Sequence, residues 1–108
     1  MFTPNSFPLR RSQESAEQKF ARLANRWKEE SAHLSSVERM AMLRSYQAII
    51  GMGAVAVPLL LRELQKEPDH WFWALQAITE ADPANGETLP IDELAARWVT
   101  WGQQEGWL

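Results

Sequence analysis

The spacing of apolar residues is the feature that most constrains the fold of this chain. From about residue 12 onwards they recur every three to four positions, which is the period of an α-helix, and no segment shows the alternation of a β-strand. Glycine and proline interrupt this period at residues 51–53, at Pro68 and at residues 82–86, and both are typical of helix ends and loops. The sequence therefore predicts an all-α fold of about five short helices.

Two capping signals place the first two helices. Ser15 opens a capping box that predicts a helix over about residues 13–33, and Ser35 opens a second box that predicts a helix as far as Ile50. The apolar residues of the second helix lie on two sides, so we expect a kink or break near residues 42–45.

Three further helices are predicted between the glycine and proline signals, over residues 54–67, 70–80 and 90–105. Asp69 is expected to cap the fourth helix, because an aspartate side chain can accept hydrogen bonds from the first turn. Pro90 is expected to open the fifth helix, since the first turn does not need the N–H that proline lacks.

The length of 108 residues predicts one domain. Residues 1–11 carry two prolines and no helical period, so they predict an extended or frayed N-terminal arm, and residues 12–108 are expected to form a single helical domain. Within it, the tripeptide Q-A-I followed by a turn and an early helix proline occurs at residues 47–58 and again at residues 76–90. This faint repeat predicts two stacked antiparallel hairpins after an N-terminal helix.

Residues 49–64, IIGMGAVAVPLLLREL, resemble the centre of a HEAT or armadillo-type repeat, in which one helix ends at glycine and the next begins with small residues, proline and leucines. Residues 34–106 further resemble a group of short uncharacterised bacterial proteins, most specifically over residues 68–79, PDHWFWALQAIT. That group tends to carry a proline just before the position of Tyr46. This chain has none there, which implies a softer break in the second helix. HEAT-type repeats mostly act as protein-binding scaffolds, and the resemblance implies that role.

Cysteine is absent, which excludes disulfides, thiolate metal sites and a cysteine nucleophile and suits a reducing compartment. The segment after Arg10 and Arg11 is polar, so this pair does not predict a twin-arginine export signal. No apolar run approaches the roughly 18 residues that span a bilayer. We therefore expect a cytoplasmic protein that makes no membrane contact.

The charge of the chain argues against nucleic acid as a partner. The formal net charge is −3, whereas binding to phosphates depends on a basic surface that releases counterions. The basic residues are also dispersed among glutamates, as on the solvated face of a helix. The residues that a nucleic-acid contact would use are Arg10, Arg11, Lys19, Arg22 and Arg26.

The two histidines do not form a catalytic or metal-binding pattern. His70 would need a nucleophile or an orienting acid within reach to act as a base, and its neighbour Asp69 is better placed as a helix cap. His33 is expected to meet the negative end of the first helix dipole. We therefore predict no enzyme activity, no catalytic or metal-ligating residue and no cofactor.

The aromatic residues near the middle of the chain carry the clearer functional signal. On a helix, Trp71 and Leu75 fall on one side, Trp73 falls nearly opposite, and Phe72 lies between them. The Trp71 side predicts contact with the core. The Trp73 side either packs against the tryptophans of the last helix or is exposed to a partner.

The leading hypothesis is a non-catalytic protein–protein interaction module, such as a small regulator or neutralising partner of another protein, or a chain that self-associates. The chain holds 6 tryptophans, and tryptophan is among the residues that most often dominate binding energy. The candidate partner-binding residues are His70, Phe72, Trp73, Trp101 and Trp107. The alternative is a small-ligand binder or an enzyme with a pocket near His70 and the tryptophan cluster, with Glu80 or Asp82 as a further contributor.

Overall fold

The computed structural model describes residues 14–108 and confirms the all-α class. Within this range the chain forms six α-helices and one short 3₁₀ turn, with no residue in a β-strand. The elements are α1 (Ala16–Ser31), α2 (Val37–Met42), α3 (Arg44–Gly51), the 3₁₀ turn Gly53–Val55, α4 (Ala56–Lys66), α5 (Phe72–Thr79) and α6 (Ile91–Gln104). The predicted N-terminal arm over residues 1–11 lies outside the described residues.

The capping signals of the first two helices have different outcomes. At the start of α1 the predicted capping box is present, with Gln18 N–H donating to Ser15 Oγ at 3.0 Å and Ser15 N–H donating to Gln18 Oε1 at 2.9 Å. The second predicted box is wrong. Ser36, and not Ser35, caps α2 by accepting a hydrogen bond from Arg39 N at 3.3 Å. This places Arg39 at the third helical position, where a capping box needs a glutamate or glutamine.

The expected break in the second helix is confirmed at Leu43. This residue is extended, with φ −61° and ψ 144°, and it both ends α2 and precedes α3. The break is complete at a single residue, so the softer break that the missing proline implied is not observed. The two apolar stripes in this segment therefore belong to two separate helices, and each helix turns its own stripe towards the core.

The helices pack in two rows around one hydrophobic core. In one row α3 lies between α1 and α5, and in the other α4 packs along α6. The largest fully buried side chains come from α1, α3, α4, α5 and the residue before α5, and they are Trp27, Tyr46, Ile49, Val57, Leu60, Leu61, Trp71 and Leu75. Whether this arrangement belongs to the HEAT type stays a prediction.

Four aromatic rings join α1, α3 and α5 at the centre of the first row. Trp71 lies 4.3 Å from Trp27 and 6.1 Å from Phe20 between ring centroids, and it stacks on Tyr46 at 5.7 Å with an angle of 9°. Each such pair contributes about 0.5–1.5 kcal/mol beyond the area that it buries. Trp98 and Trp101 form a separate edge-on pair at 5.3 Å. Four of the six tryptophans therefore lie in two separate aromatic groups, and Trp73 forms a ring contact with neither group.

Helix α5 begins at Phe72, two residues later than the sequence predicts. The expected cap at Asp69 is wrong, because the Asp69 carboxylate accepts a hydrogen bond from the adjacent His70 N at 2.8 Å and not from the first turn of the helix. No side chain within this segment caps the helix.

The start of α5 is fixed from α3 by the hydroxyl of Tyr46. This hydroxyl donates to the His70 carbonyl oxygen and accepts from Ala74 N, both at 2.9 Å. In an uninterrupted helix the N–H of residue 74 would donate directly to the carbonyl of residue 70. The hydroxyl stands between these two groups and satisfies both, so the helix starts after His70 and its first turn is tied to the core.

The end of α6 is fixed by two glycines. Gly106 has φ +83°, and the N–H groups of Gly106 and Trp107 donate to the carbonyls of Gln103 and Gly102, which is the Schellman arrangement. Gly102 faces α4 so closely that an added Cβ would lie 2.5 Å from Leu61 Cδ1. A residue without a side chain therefore allows α4 and α6 to approach each other.

Among the described helices no single one has the length and apolarity to cross a membrane. Helix α3 and the segment Gly53–Lys66 reach that length and apolarity only as a pair, and a bend of 103° separates them.

Candidate functional site

The two sides of α5 have opposite environments. Trp71, Ala74 and Leu75 are fully buried, whereas Trp73 is 45% exposed and Ala77 is also exposed. The sequence left open whether the Trp73 side packs in the core or faces outwards. Among the described residues it faces outwards, because α5 packs on α3, α4 and the 3₁₀ turn and the residues that it buries there are on the Trp71 side.

Trp73 lies at the edge of a cleft, which we call the aromatic cleft. It is formed by α5, the loop after α5 and α6, and has a volume of about 280 Å³. Its apolar lining includes Phe72, Trp73, Leu94 and Trp98, and its polar lining includes His70, Gln76, Asp82 and Glu87. Aromatic and aliphatic surface combined with polar groups in one concave site is typical of a binding site.

The structure brings three of the five predicted partner-binding residues together. His70, Phe72 and Trp73 all line the aromatic cleft. Trp101 lies in a neighbouring, more open depression of about 530 Å³, and it contacts Trp98 edge-on. Trp107 is half-buried against the hydrophobic core at the end of α6. The five predicted residues therefore do not form one surface, and only His70, Phe72 and Trp73 lie together.

The loop after α5 forms a wall of the cleft, and Asp82 lines the cleft as the alternative prediction has it, but the sequence does not place the rest of the loop there. Asp82 Oδ2 accepts a hydrogen bond from Gly86 N at 2.8 Å, and Asn85 and Gly86 both have positive φ, of 52° and 78°. Ala84 in this loop is buried. The motif D-P-A-N-G predicts a turn. The position of this turn beside the cleft depends on contacts with α6, which no local sequence signal encodes.

The cleft is acidic. Residues 67–108 contain eight carboxylate side chains and a single lysine or arginine, Arg97, while residues 1–66 contain six carboxylates and ten lysines or arginines. Asp82 and Glu87 lie in the cleft wall. Arg97 Nη1 lies 3.8 Å from Glu87 Oε1, and both side chains are substantially exposed. The net charge of −3 is therefore unevenly distributed, with an acidic C-terminal part and a basic N-terminal part.

His70 lines the cleft and contributes its main chain to the fold. Its carbonyl oxygen accepts from Tyr46 and its N–H donates to Asp69. Burial raises the pKa of the Tyr46 phenol above its ordinary value, so the hydroxyl keeps its proton and can donate to His70. Among the described residues no group of three or more histidines and carboxylates is placed to hold a metal ion.

The basic residues that a nucleic-acid contact would use are partly engaged in ion pairs. Arg22 Nε lies 2.9 Å from Glu14 Oε2, and this hydrogen bond raises the pKa of Arg22 and lowers that of Glu14. Arg26 Nε lies 3.5 Å from Glu30 Oε2. Arg10 and Arg11 lie outside the described residues.

No protein-family model, curated protein or solved structure matches this chain. The resemblance to HEAT-type repeats and to short bacterial proteins therefore stays a prediction that rests on the residues quoted for it.

Proposed function

We propose that this chain is a non-catalytic protein–protein interaction module that binds another protein through the aromatic cleft. The observation that carries the proposal is Trp73, a large apolar side chain that is 45% exposed at the edge of a cleft with further aromatic walls. Isolated exposed apolar residues are ordinary on protein surfaces, whereas an aromatic anchor beside a preformed apolar cleft is typical of binding hot spots.

The rigidity of α5 supports this role. Trp71 packs among three aromatic rings, and the Tyr46 hydroxyl holds the first turn of the helix through two hydrogen bonds. Trp73 is therefore presented on a helix that is fixed to the core on its opposite side. A fixed anchor loses less conformational freedom on binding than a side chain on a mobile loop, which favours affinity.

The size of the cleft favours a protein partner over a small molecule. Pockets that enclose small ligands usually measure about 300–1,000 Å³ and surround most of the ligand, and this cleft of about 280 Å³ lies just below the lower end of that range. One of its two carboxylates, Asp82, already accepts a hydrogen bond within the loop. The alternative of a ligand pocket or an active site near His70 is therefore less well supported.

The biological setting of the module is inferred from sequence. The resemblance to HEAT-type scaffolds supports a small regulator or neutralising partner of another protein, and the absence of cysteine supports the cytoplasm.

The proposal is tested by a matched pair of variants. Trp73→Ala removes the anchor, and Val55→Ala shortens another exposed apolar side chain, 50% exposed and outside the cleft. Purified tagged variants are cross-linked in lysate of the source cells, and bound proteins are identified and quantified by mass spectrometry. We expect Trp73→Ala to lose a specific partner that wild type and Val55→Ala both retain. Equal recovery of every partner by the two variants would contradict the proposal.

A further inference from the structure

We infer that the aromatic cleft receives a basic segment of the partner, in which a lysine or arginine side chain packs against Trp73 and an adjacent apolar residue enters the cleft. This inference rests on the proposed function and names the chemistry of the partner. It is carried by the combination of an exposed indole and carboxylates at one cleft.

The first support is charge. Glu87 and Asp82 both line the cleft, and Arg97 is the only lysine or arginine in the last 42 residues of the chain. An incoming cation is attracted to such a site, and an incoming carboxylate is repelled. The acidic character therefore selects among the partners that the apolar lining alone would accept.

The second support is the state of Glu87. Its side chain is 59% exposed, and the distance of 3.8 Å to Arg97 is longer than the roughly 2.7–2.9 Å of a close charge-assisted hydrogen bond. An ion pair this loose and exposed contributes little to stability. Glu87 can therefore exchange Arg97 for a cation of the partner at small cost.

The third support is the indole of Trp73. Tryptophan is the best aromatic partner for a cation, and a cation–π contact contributes about 0.5–2 kcal/mol, depending on how far the pair is desolvated. Phe72 and Leu94 line the same cleft and offer an apolar surface beside the cation. The arrangement therefore fits a basic residue next to an apolar one better than a purely apolar segment.

A separate partner is favoured over a second copy of this chain. Three of the basic side chains on α1 already lie in ion pairs within one molecule, Arg22 with Glu14, Arg26 with Glu30 and Lys28 with Glu63. The Arg22 and Lys28 contacts, at 2.9 and 3.1 Å, are closer than the 3.8 Å contact of Arg97 with Glu87, so a second copy would exchange closer ion pairs for the cleft.

The probe for this inference is a short acetylated and amidated peptide of alternating arginine and leucine, which contains no aromatic residue. The matched control peptide has glutamate in place of arginine. Binding is measured by isothermal titration calorimetry and by tryptophan fluorescence, with Trp73→Ala, Glu87→Gln and Val55→Ala as variants. Sedimentation equilibrium of the chain alone reports self-association.

We expect the arginine peptide to bind, the glutamate peptide not to bind, and affinity to fall as salt rises. Trp73→Ala is expected to weaken binding about 2- to 30-fold, the range that corresponds to a cation–π contact. Glu87→Gln is expected to weaken it and Val55→Ala to leave it unchanged. Equal binding of both peptides, no arginine-peptide binding up to about 1 mM, or self-association that Trp73→Ala abolishes would overturn the inference.

These failures are distinguishable from failure of the proposed function. If neither peptide binds while Trp73→Ala still loses a protein partner in lysate, the cleft binds a partner of different chemistry. If Trp73→Ala retains every partner, the cleft is not the interaction site at all.

Discussion

The hydroxyl of Tyr46 is expected to be a large single contributor to stability, and Tyr46→Phe tests this. The substitution removes one oxygen and leaves the ring stacked on Trp71 and 5.5 Å from Trp27. It removes the hydrogen bond to the His70 carbonyl and the acceptor for Ala74 N. Tyr46 and Ala74 are both 0% exposed, so the Ala74 amide loses its acceptor without access to water.

The expected loss follows from these two bonds. A hydrogen bond between neutral groups contributes about 0.5–1.5 kcal/mol, and a buried group left without a partner costs about 1–3 kcal/mol. Loss of the Tyr46 hydroxyl should therefore lower the free energy of unfolding by about 2–4 kcal/mol, out of the roughly 5–15 kcal/mol that is usual for a domain. For a chain of this length the melting temperature should fall by about 10–25 °C.

Urea denaturation followed by tryptophan fluorescence measures this change, with Ser45→Ala as the matched control. The Ser45 hydroxyl donates to Glu30 Oε1 at 3.2 Å, and that carboxylate belongs to an exposed residue that water can reach. We expect the control to cost less than Tyr46→Phe, because water at the exposed Glu30 carboxylate replaces part of the lost bond.

Hydrogen exchange at Ala74 completes the test. In the wild type the Ala74 amide should exchange slowly, and in Tyr46→Phe it should exchange much faster. A loss below about 0.5 kcal/mol with unchanged protection of Ala74 would refute the bridging role, because the first turn would then close without the hydroxyl.

Three further outcomes are expected. Because the pKa of Tyr46 is raised in the folded chain, its contribution to stability is complete below the unfolded pKa of about 10 and is lost as pH rises above it. Circular dichroism at rising pH should therefore show a loss of stability in the wild type that Tyr46→Phe lacks. Gly102→Val should lower the free energy of unfolding by about 1–3 kcal/mol, since the valine side chain would collide with Leu61. Gly51→Val is the control in the same urea titration and should cost less, because nothing lies within 4 Å of the added Cβ. Ser15→Ala should cost about 1 kcal/mol by loss of the cap on α1, and an unchanged urea midpoint would show that the capping box contributes nothing.

The accuracy of sequence reasoning depended on whether the deciding contact was local. Ser15 and Gln18 are three residues apart, so their reciprocal capping was predictable. The break at Leu43 was predictable because apolar residues changed sides within one segment. The start of α5 was not, because it is set by Tyr46, which lies 24 residues before His70 along the chain. The same limit applied to the candidate site, whose aromatic residues and Asp82 could be named from the sequence, whereas the position of Glu87 beside them could not.

The exposure of Trp73 follows from the requirement that buries Trp71. Two positions along a helix correspond to a rotation of about 200°, so a helix that places Trp71 in the core must turn Trp73 away from it. A strand would place both indoles on one side. The Trp71 side of α5 packs in the core, and Trp73 lies on the same rigid helix. Contacts that fix Trp71 in the core therefore also fix the outward direction of Trp73. Packing of the core and presentation of the binding surface are therefore coupled through one helix, and variants that loosen Tyr46 or Trp71 should weaken partner binding even though neither side chain lies in the cleft.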